Sequence, residues 1–141
     1  MLDFVQRTGF TDAYPNTLTP AQFVNKLFIN AGVTPSSSDL AIAIGRFASA
    51  PTSADPSARA KALRDVAENS VLVNAEMNRA FVLMEYFGYL RRNPNEGQDV
   101  DYTGYDFWLR KLNQFNGNFI DAEMVKAFIS SKEYRQRFGP N

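Results

Sequence analysis

Apolar residues recur at helical spacing through most of this 141-residue chain. The first clear stripe runs from Phe23 to Ala31. Before it stands Thr19-Pro20, an N-cap followed by a proline at the first helical position, and Gly32 follows its end. These start and stop signals predict a well-bounded helix.

Two more helices follow in the first half of the chain. Ser37 or Ser38 is a suitable N-cap for the second, although Gly45 in the interior of that helix costs about 1 kcal/mol relative to alanine. Asp55-Pro56 repeats the cap-and-proline start for the third. The third pattern has one apolar and one charged side, which is typical of a surface helix.

A longer apolar segment covers residues 75–91. Met77, Phe81 and Met84 fill one side of it, while Val82 and Tyr86 belong to the other. A helix that is apolar nearly all round is expected to be buried nearly all round. The pattern therefore predicts that this helix is the central element of the fold.

Three shorter helices are predicted after residue 100. Thr103 with Asp106 resembles a capping box, Asp121 is the N-cap of the next helix, and Ser131 opens a last one before Gly139-Pro140. No segment alternates with period two for long enough to be a strand. We therefore expect an all-α fold, a compact bundle of about six or seven helices.

The two halves of the chain show a weak internal repeat. Phe23-Val24 and Phe28 in the first half align with Phe81-Val82 and Tyr86 in the second. We expect one helical domain over residues 1–141, in which residues 1–70 are a degenerate first unit or a helical extension and residues 75–139 form the second unit.

The composition of the chain argues against several kinds of functional site. The chain has no cysteine and no histidine, which removes thiolate ligands and the commonest proton shuttle near neutral pH. Fifteen basic residues balance fifteen acidic ones, so the excess of positive charge typical of nucleic-acid binding is missing. Neither a membrane-spanning run nor a signal peptide is expected, although a piece of a longer exported protein would also begin without its signal.

The second half carries an ordered set of short motifs: an aromatic helix ending in leucine-x-arginine-x-proline, then a glycine and a tryptophan helix, then serine-x-glutamate-tyrosine. These motif residues are Leu90, Arg92, Pro94, Gly104, Trp108, Ser131, Glu133 and Tyr134. Over roughly residues 77–139 the pattern resembles the bacterial family of domains of unknown function catalogued as 4214. A more distant similarity links it to phycobilisome linker domains.

The resemblance implies where the protein is located, and it implies no enzymatic reaction. Domains of that family usually sit in large exported or surface proteins, and phycobilisome linkers are structural adaptors. An extracellular or cell-surface location is therefore expected from the resemblance alone, and a cytoplasmic one remains an alternative. The first half departs from the pattern, because it has no tryptophan and Gly32-Val33-Thr34-Pro35 stands at the arginine-proline corner.

The motif residues are interpreted first as structural. A cation suits a helix C-terminus and proline prevents its continuation, so Arg92 and Pro94 form a corner, with Arg92 bonded to carbonyls or to a carboxylate such as Glu133. Ser131 caps a helix junction. Trp108 lies on an apolar stripe and is expected in the core.

Residues 96–106 hold four carboxylates and no cation. Asp99, Asp101 and Thr103 at alternating positions imitate the first half of a calcium loop, but Arg110 stands at the twelfth position, where the bidentate glutamate should be. Calcium binding and a solvated turn with a helix cap are both open interpretations. No other cofactor is expected.

Two functional hypotheses remain. The favoured one is a non-catalytic interaction or structural module that contacts a protein or glycan surface, with Tyr102, Tyr105, Phe107 and Tyr14 as candidate contact residues. The alternative is a small polysaccharide hydrolase. It would use carboxylates of the polar loop, namely Asp99, Asp101 or Asp106.

Overall fold

A computed structural model describes residues 1–139, and within that range the protein is all-α, as the sequence predicts. Eight α-helices occur there, one more than the sequence predicts, because the short segment Thr8–Ala13 is also helical. A short 3₁₀ turn, Phe4–Gln6, precedes them. The sequence predicts that Gly139-Pro140 closes the domain, and Pro140 lies outside the described residues. The helices are α1 (Thr8–Ala13), α2 (Pro20–Ala31), α3 (Ser37–Gly45), α4 (Pro56–Ala67), α5 (Ser70–Glu85), α6 (Thr103–Gln114), α7 (Met124–Ser130) and α8 (Lys132–Phe138).

The chain forms two compact units, Met1–Val73 and Asn74–Asn141. Each unit has its own hydrophobic core. The first core contains Phe23, Val24 and Phe28 among its buried residues, and the second contains Val82, Tyr86 and Phe128. Whether the first unit is a degenerate copy of the second stays a prediction.

The helix starts in the first unit follow the sequence signals with one correction. Thr19 makes a capping box with Gln22 at the start of α2, and Gly32 ends that helix at φ 67°. Asp55 accepts hydrogen bonds at the start of α4. The cap of α3 is Ser36, not Ser37 or Ser38, because only Ser36 has the side chain of Asp39 three residues ahead to complete a capping box. Gly45 is the last residue of that helix and does not lie in its interior as predicted.

Arg59 of α4 is buried in the core of the first unit. Its Nη1 donates to the carbonyl of Ser53 at 3.1 Å, and its Nη2 donates to the carbonyl of Tyr14. The guanidinium carbon lies 4.5 Å from the ring centre of Phe23 and 5.3 Å from that of Phe10. Burial lowers the pKa of Arg59. This one side chain ties the N-terminal segment and the α3–α4 connection to the core.

The predicted central helix over residues 75–91 is only partly right. The α-helix ends at Glu85 and continues as a wider π-turn over Tyr86–Leu90. It is not buried all round, since Met77 and Met84 are 64% and 68% exposed. Apolar side chains on a surface are common, so apolar residues on both sides of a helix did not require burial on both sides.

The buried face of this element includes a charged residue that the apolar pattern missed. Glu85 is 6% exposed, and its Oε2 atom has no hydrogen-bond partner among residues 1–139. One turn earlier Phe81 stacks on Phe119, with ring centres 5.0 Å apart. Burial raises the pKa of Glu85 from 4.5 to about 7.

Two predicted caps in the second unit are wrong. Thr103 is the first residue of α6, and its backbone N–H is bound by Asp101 at 2.8 Å, so no capping box with Asp106 forms. Before α7, the side chain of Asn118 accepts hydrogen bonds from the backbone N–H groups of Ile120 and Asp121. Asp101 thus satisfies a free N–H group at the start of α6, whereas α7 begins after Glu123 without any side-chain cap.

None of the helices described for residues 1–139 combines the length and the apolar character needed to cross a membrane.

Arg59→Ala should destabilise the first unit by about 3 kcal/mol, because it leaves a cavity and two unpaired buried carbonyl groups. The matched control is Arg64→Ala on the same helix, where the side chain is 62% exposed and a change within about 0.5 kcal/mol is expected. Urea denaturation followed by circular dichroism measures both. Equal stability of the two variants would show that Arg59 does not hold the core.

Glu85→Gln should change the pH dependence of stability. Because folding raises the pKa of Glu85, the folded state binds more protons than the unfolded state between pH 4.5 and about 7, and stability from this group falls as pH rises through that window. The loss is at most about 3 kcal/mol. The variant should match the parent near about pH 4.5 and be more stable near about pH 8.

Thermal denaturation across this pH range measures the difference, with Glu76→Gln on the exposed side of the same helix as the control. A parent and a Glu85→Gln variant whose stability difference does not change with pH would contradict the buried, proton-binding state of Glu85.

Candidate functional site

A hollow of about 300 Å³ lies in the second unit. Four pieces of chain meet around it: the π-turn, the loop that follows the π-turn, the start of α6, and the junction between α7 and α8. The residues that line it include Tyr86, Arg92, Asp99, Gly104, Trp108, Phe128 and Glu133. The motif residues of the second half are therefore gathered around one cavity, which makes it the candidate site.

Arg92 is the centre of this site, and its side chain is 8% exposed. Its Nε donates to Glu133 Oε1 at 2.7 Å, and its Nη2 donates to Glu133 Oε2 at 3.0 Å and to Asp99 Oδ2 at 2.7 Å. Its Nη1 donates to the carbonyls of Asn93 at 3.0 Å and Pro94 at 3.4 Å. All five N–H groups of a guanidinium are used in this way. The contact with Glu133 that the sequence predicts is present.

Local geometry places the partners of Arg92. Arg91 ends the π-turn in the left-handed conformation at φ 54°, which turns the chain away from the helix axis. On the other side, the Ser131 hydroxyl accepts a hydrogen bond from the Tyr134 backbone N–H, as predicted for a cap. That cap sets Glu133 in the first turn of α8, where a negative charge is also favourable.

The electrostatics of the cluster follow from these bonds. Hydrogen bonding to Glu133 raises the pKa of Arg92 above its ordinary value, against the opposing effect of burial, and Asp99 adds to the rise. Burial raises the pKa of the Tyr86 phenol to about 12, with a further contribution from the charge of Asp99. Arg92 is therefore a permanent cation, and Tyr86 stays neutral.

Gly104 allows α6 to begin beside Tyr86. A Cβ atom at Gly104 would lie 2.8 Å from the Tyr86 hydroxyl and 3.6 Å from Asp99 Oδ1. A contact of 2.8 Å is shorter than carbon and oxygen tolerate, and the Tyr86 side chain is buried. The glycine of the motif is thus explained by close approach of a backbone to a side chain.

An aromatic wall closes one side of the hollow. The ring of Trp108 lies 5.5 Å from that of Phe128, and the ring of Phe128 lies 5.2 Å from that of Tyr86 in an edge-to-face arrangement. Phe128 and Tyr86 are buried, whereas Trp108 is partly exposed. The tryptophan expected in the core therefore lies at the edge of the core and lines the hollow.

Of the aromatic residues predicted to make contacts, Tyr102 and Tyr105 lie together in the second unit, with ring centres 6.1 Å apart in an edge-to-face arrangement. Tyr14 belongs to the first unit, where it stacks on Phe10 and its hydroxyl accepts a hydrogen bond from Asn30. Tyr105 is half-buried, and Tyr102 and Phe107 are exposed on the second unit. None of these four residues lines the hollow, and their contact with a ligand stays a prediction.

The residues of the predicted calcium loop have other partners. Asp99 is bound to Arg92, Asp101 binds the backbone N–H of Thr103, and Thr103 is in α6. No group of three or more acidic side chains that could hold a metal ion occurs within residues 1–139. A calcium ion would have to compete with Arg92 for Asp99, and the calcium site stays a prediction.

The carboxylates proposed for hydrolysis are also not arranged as an acid–base pair. Hydrogen bonding to Thr103 lowers the pKa of Asp101, whereas a general acid needs a raised pKa. Asp99 is bound to Arg92, and Asp106 is exposed on α6 and does not line the hollow. The geometry therefore favours a structural use of these groups.

The sequence missed part of the lining. The sequence pattern predicts Tyr86 only as an apolar helix residue and indicates no role at a site for Phe128, Gln98, Ala127 or Lys132. The position of Phe128 could have indicated its role, because it lies three residues before Ser131, the cap of α8. The last buried residue of α7 therefore lies beside the junction of the two helices.

Arg92→Lys should destabilise the second unit by about 2 kcal/mol, because an ammonium group cannot reproduce the two parallel bonds to Glu133 while also reaching Asp99. Thermal and urea denaturation measure the loss. Arg135→Lys on exposed α8 is the control and should change stability by less than about 0.5 kcal/mol. Equal behaviour of the two variants would contradict the structural role of the guanidinium.

Gly104→Ala should cost about 2 kcal/mol, since the new methyl group overlaps with the Tyr86 hydroxyl. Gly88→Ala is the matched control in the same unit, because no atom lies within 4 Å of its added Cβ. Differential scanning calorimetry should separate them clearly. A Gly104→Ala protein as stable as the control would mean that α6 does not approach Tyr86 closely.

Comparison with known proteins adds no relative: no protein-family model matches the chain, and searches of curated proteins and of solved structures find no significant match.

Proposed function

We propose that this chain is a non-catalytic binding or scaffolding module of an exported or surface-associated bacterial protein. The hollow beside Arg92 in the second unit is its recognition site. The observation that carries the proposal is a cavity whose walls are held in place by a fully bonded guanidinium.

Rigidity is the first support for a binding role. Arg92 joins the loop at Asp99 to α8 at Glu133, so the two polar sides of the hollow are fixed to each other before any ligand arrives. The third side is a packed aromatic wall that includes Trp108 and Phe128. A site that is already ordered loses little conformational entropy on binding, which favours affinity.

The volume and the lining also suit a small binding site. About 300 Å³ is at the lower end of the range for ligand pockets, and apolar walls with a few oriented polar groups are the usual composition. The carboxylates serve structure here, because Arg92 holds Asp99 and Glu133 together. This use of the acids favours recognition over the hydrolase alternative.

The proposed setting rests on the motif resemblance alone. Arg92, Pro94, Gly104 and Glu133, which belong to the resembling pattern, all take part in the corner or border it. Membership of the bacterial family catalogued as 4214, and with it an exported or surface location, are parts of the proposal.

The test is a binding screen of the whole chain against arrays of glycans and of bacterial surface proteins. Ala127→Leu, which fills the hollow from α7, should remove the retained ligand, while Ser130→Leu on the same helix but outside the hollow should keep it. Circular dichroism confirms that both variants fold. Binding that survives Ala127→Leu would place recognition elsewhere, and no retained ligand of any class would count against a binding role.

A further inference from the structure

The central guanidinium supplies none of the hydrogen-bonding capacity left in the hollow, which consists of carboxylate oxygens together with donors such as the Lys132 ammonium group. Arg92 has no N–H group to spare, because its five donors already reach Glu133, Asp99 and two backbone carbonyls. The two carboxylates are not exhausted, since each carboxylate offers about four acceptor positions. Within residues 1–139, Asp99 Oδ1 makes no hydrogen bond, and it lies toward Gly104 on the lining. A ligand that uses these free carboxylate oxygens must therefore bring donors.

The charges around the hollow decide whether those donors are cationic or neutral. The lining holds two positive groups, Arg92 and Lys132, and two negative groups, Asp99 and Glu133. Arg137 adds a weak contact to Glu133 at 3.9 Å. An ammonium ligand would meet the Lys132 charge, and an anion would meet the two carboxylates and could bind only Lys132, because Arg92 has no free N–H group. Balanced charge favours a neutral ligand.

The apolar part of the lining sets the shape of that ligand. Trp108, Phe128 and Leu90 add a hydrophobic surface to the lining that also holds the carboxylates. A suitable molecule is therefore amphipathic, with hydroxyl groups along one edge and C–H groups on a face. A sugar ring has this distribution, and its C–H face packs against aromatic side chains.

We infer that the hollow binds one or two rings of a neutral saccharide, with hydroxyl groups donating to Asp99 and Glu133 and the apolar face of the sugar against the wall that contains Trp108. This inference rests on the proposed binding function and names its ligand class. The volume of about 300 Å³ limits the site to a short segment of a glycan.

Trp108 is the only tryptophan of the chain, so its fluorescence reports directly on the hollow. The whole protein is titrated with three probes of matched length: a neutral oligosaccharide series, oligogalacturonate as the anionic series, and chitosan oligomers as the cationic series. We expect a saturable change in Trp108 emission with at least one neutral oligosaccharide and weaker binding of both charged series.

Ala127→Leu should weaken the binding of that neutral sugar about tenfold or more, and Ser130→Leu should leave it unchanged. Unchanged melting temperatures and Trp108 emission without sugar establish that both variants keep the fold. Isothermal titration calorimetry gives the affinities independently of the reporter.

Saturation by charged oligosaccharides alone would overturn the inference and leave the binding function standing. Binding of neutral sugar that Ala127→Leu does not weaken would overturn it as well. No response to any saccharide, together with a protein retained in the array screen, would replace the sugar with a protein ligand, whereas failure of both experiments would remove the proposed function itself.

Discussion

A single buried guanidinium organises the second unit. Removing the charge of Arg92 from water is costly, and the cost is offset only because every N–H group finds an acceptor and two carboxylates lie at hydrogen-bond distance. Asp99 is seven residues from Arg92 and Glu133 is 41 residues away, so one side chain closes both a short loop and a long segment. This interaction fixes the position of the loop relative to α8, and the hollow between them depends on it.

The first unit also buries a guanidinium group, but the hydrogen-bond acceptors around it are different. Arg59 is buried without a carboxylate among its hydrogen-bond partners in residues 1–139, and it bonds to the carbonyls of Ser53 and Tyr14 between aromatic rings. Its pKa is lowered by burial, whereas that of Arg92 is raised by its bond to Glu133. Neutral carbonyls compensate a buried charge less completely than carboxylates do. The bond pattern of Arg59 ties backbone segments together but leaves no acceptor-rich surface.

Local chemistry made much of the fold predictable. Thr19, Asp55 and Ser131 act as the caps that their sequence context indicates, because capping depends on residues within one helical turn. The errors arise where several neighbouring residues are suitable caps, as when Ser36 rather than Ser37 or Ser38 caps α3. The buried position of Glu85 could not be predicted from an apolar pattern, because a charged residue is counted as exposed unless its tertiary surroundings are known.

The candidate site was predictable only in part, for the same reason. The pairing of Arg92 with Glu133 follows from charge and from the helix ends that each occupies. The hollow itself depends on how four separate segments meet, which no local pattern specifies. Once they meet, the saturation of Arg92 has a consequence for recognition: the interaction that stabilises the fold also uses every N–H group of the central guanidinium and leaves carboxylate oxygens on the lining beside aromatic rings. Stability and ligand choice are therefore coupled, and a substitution that frees an N–H group of Arg92 would loosen the second unit while shifting its preference toward anions.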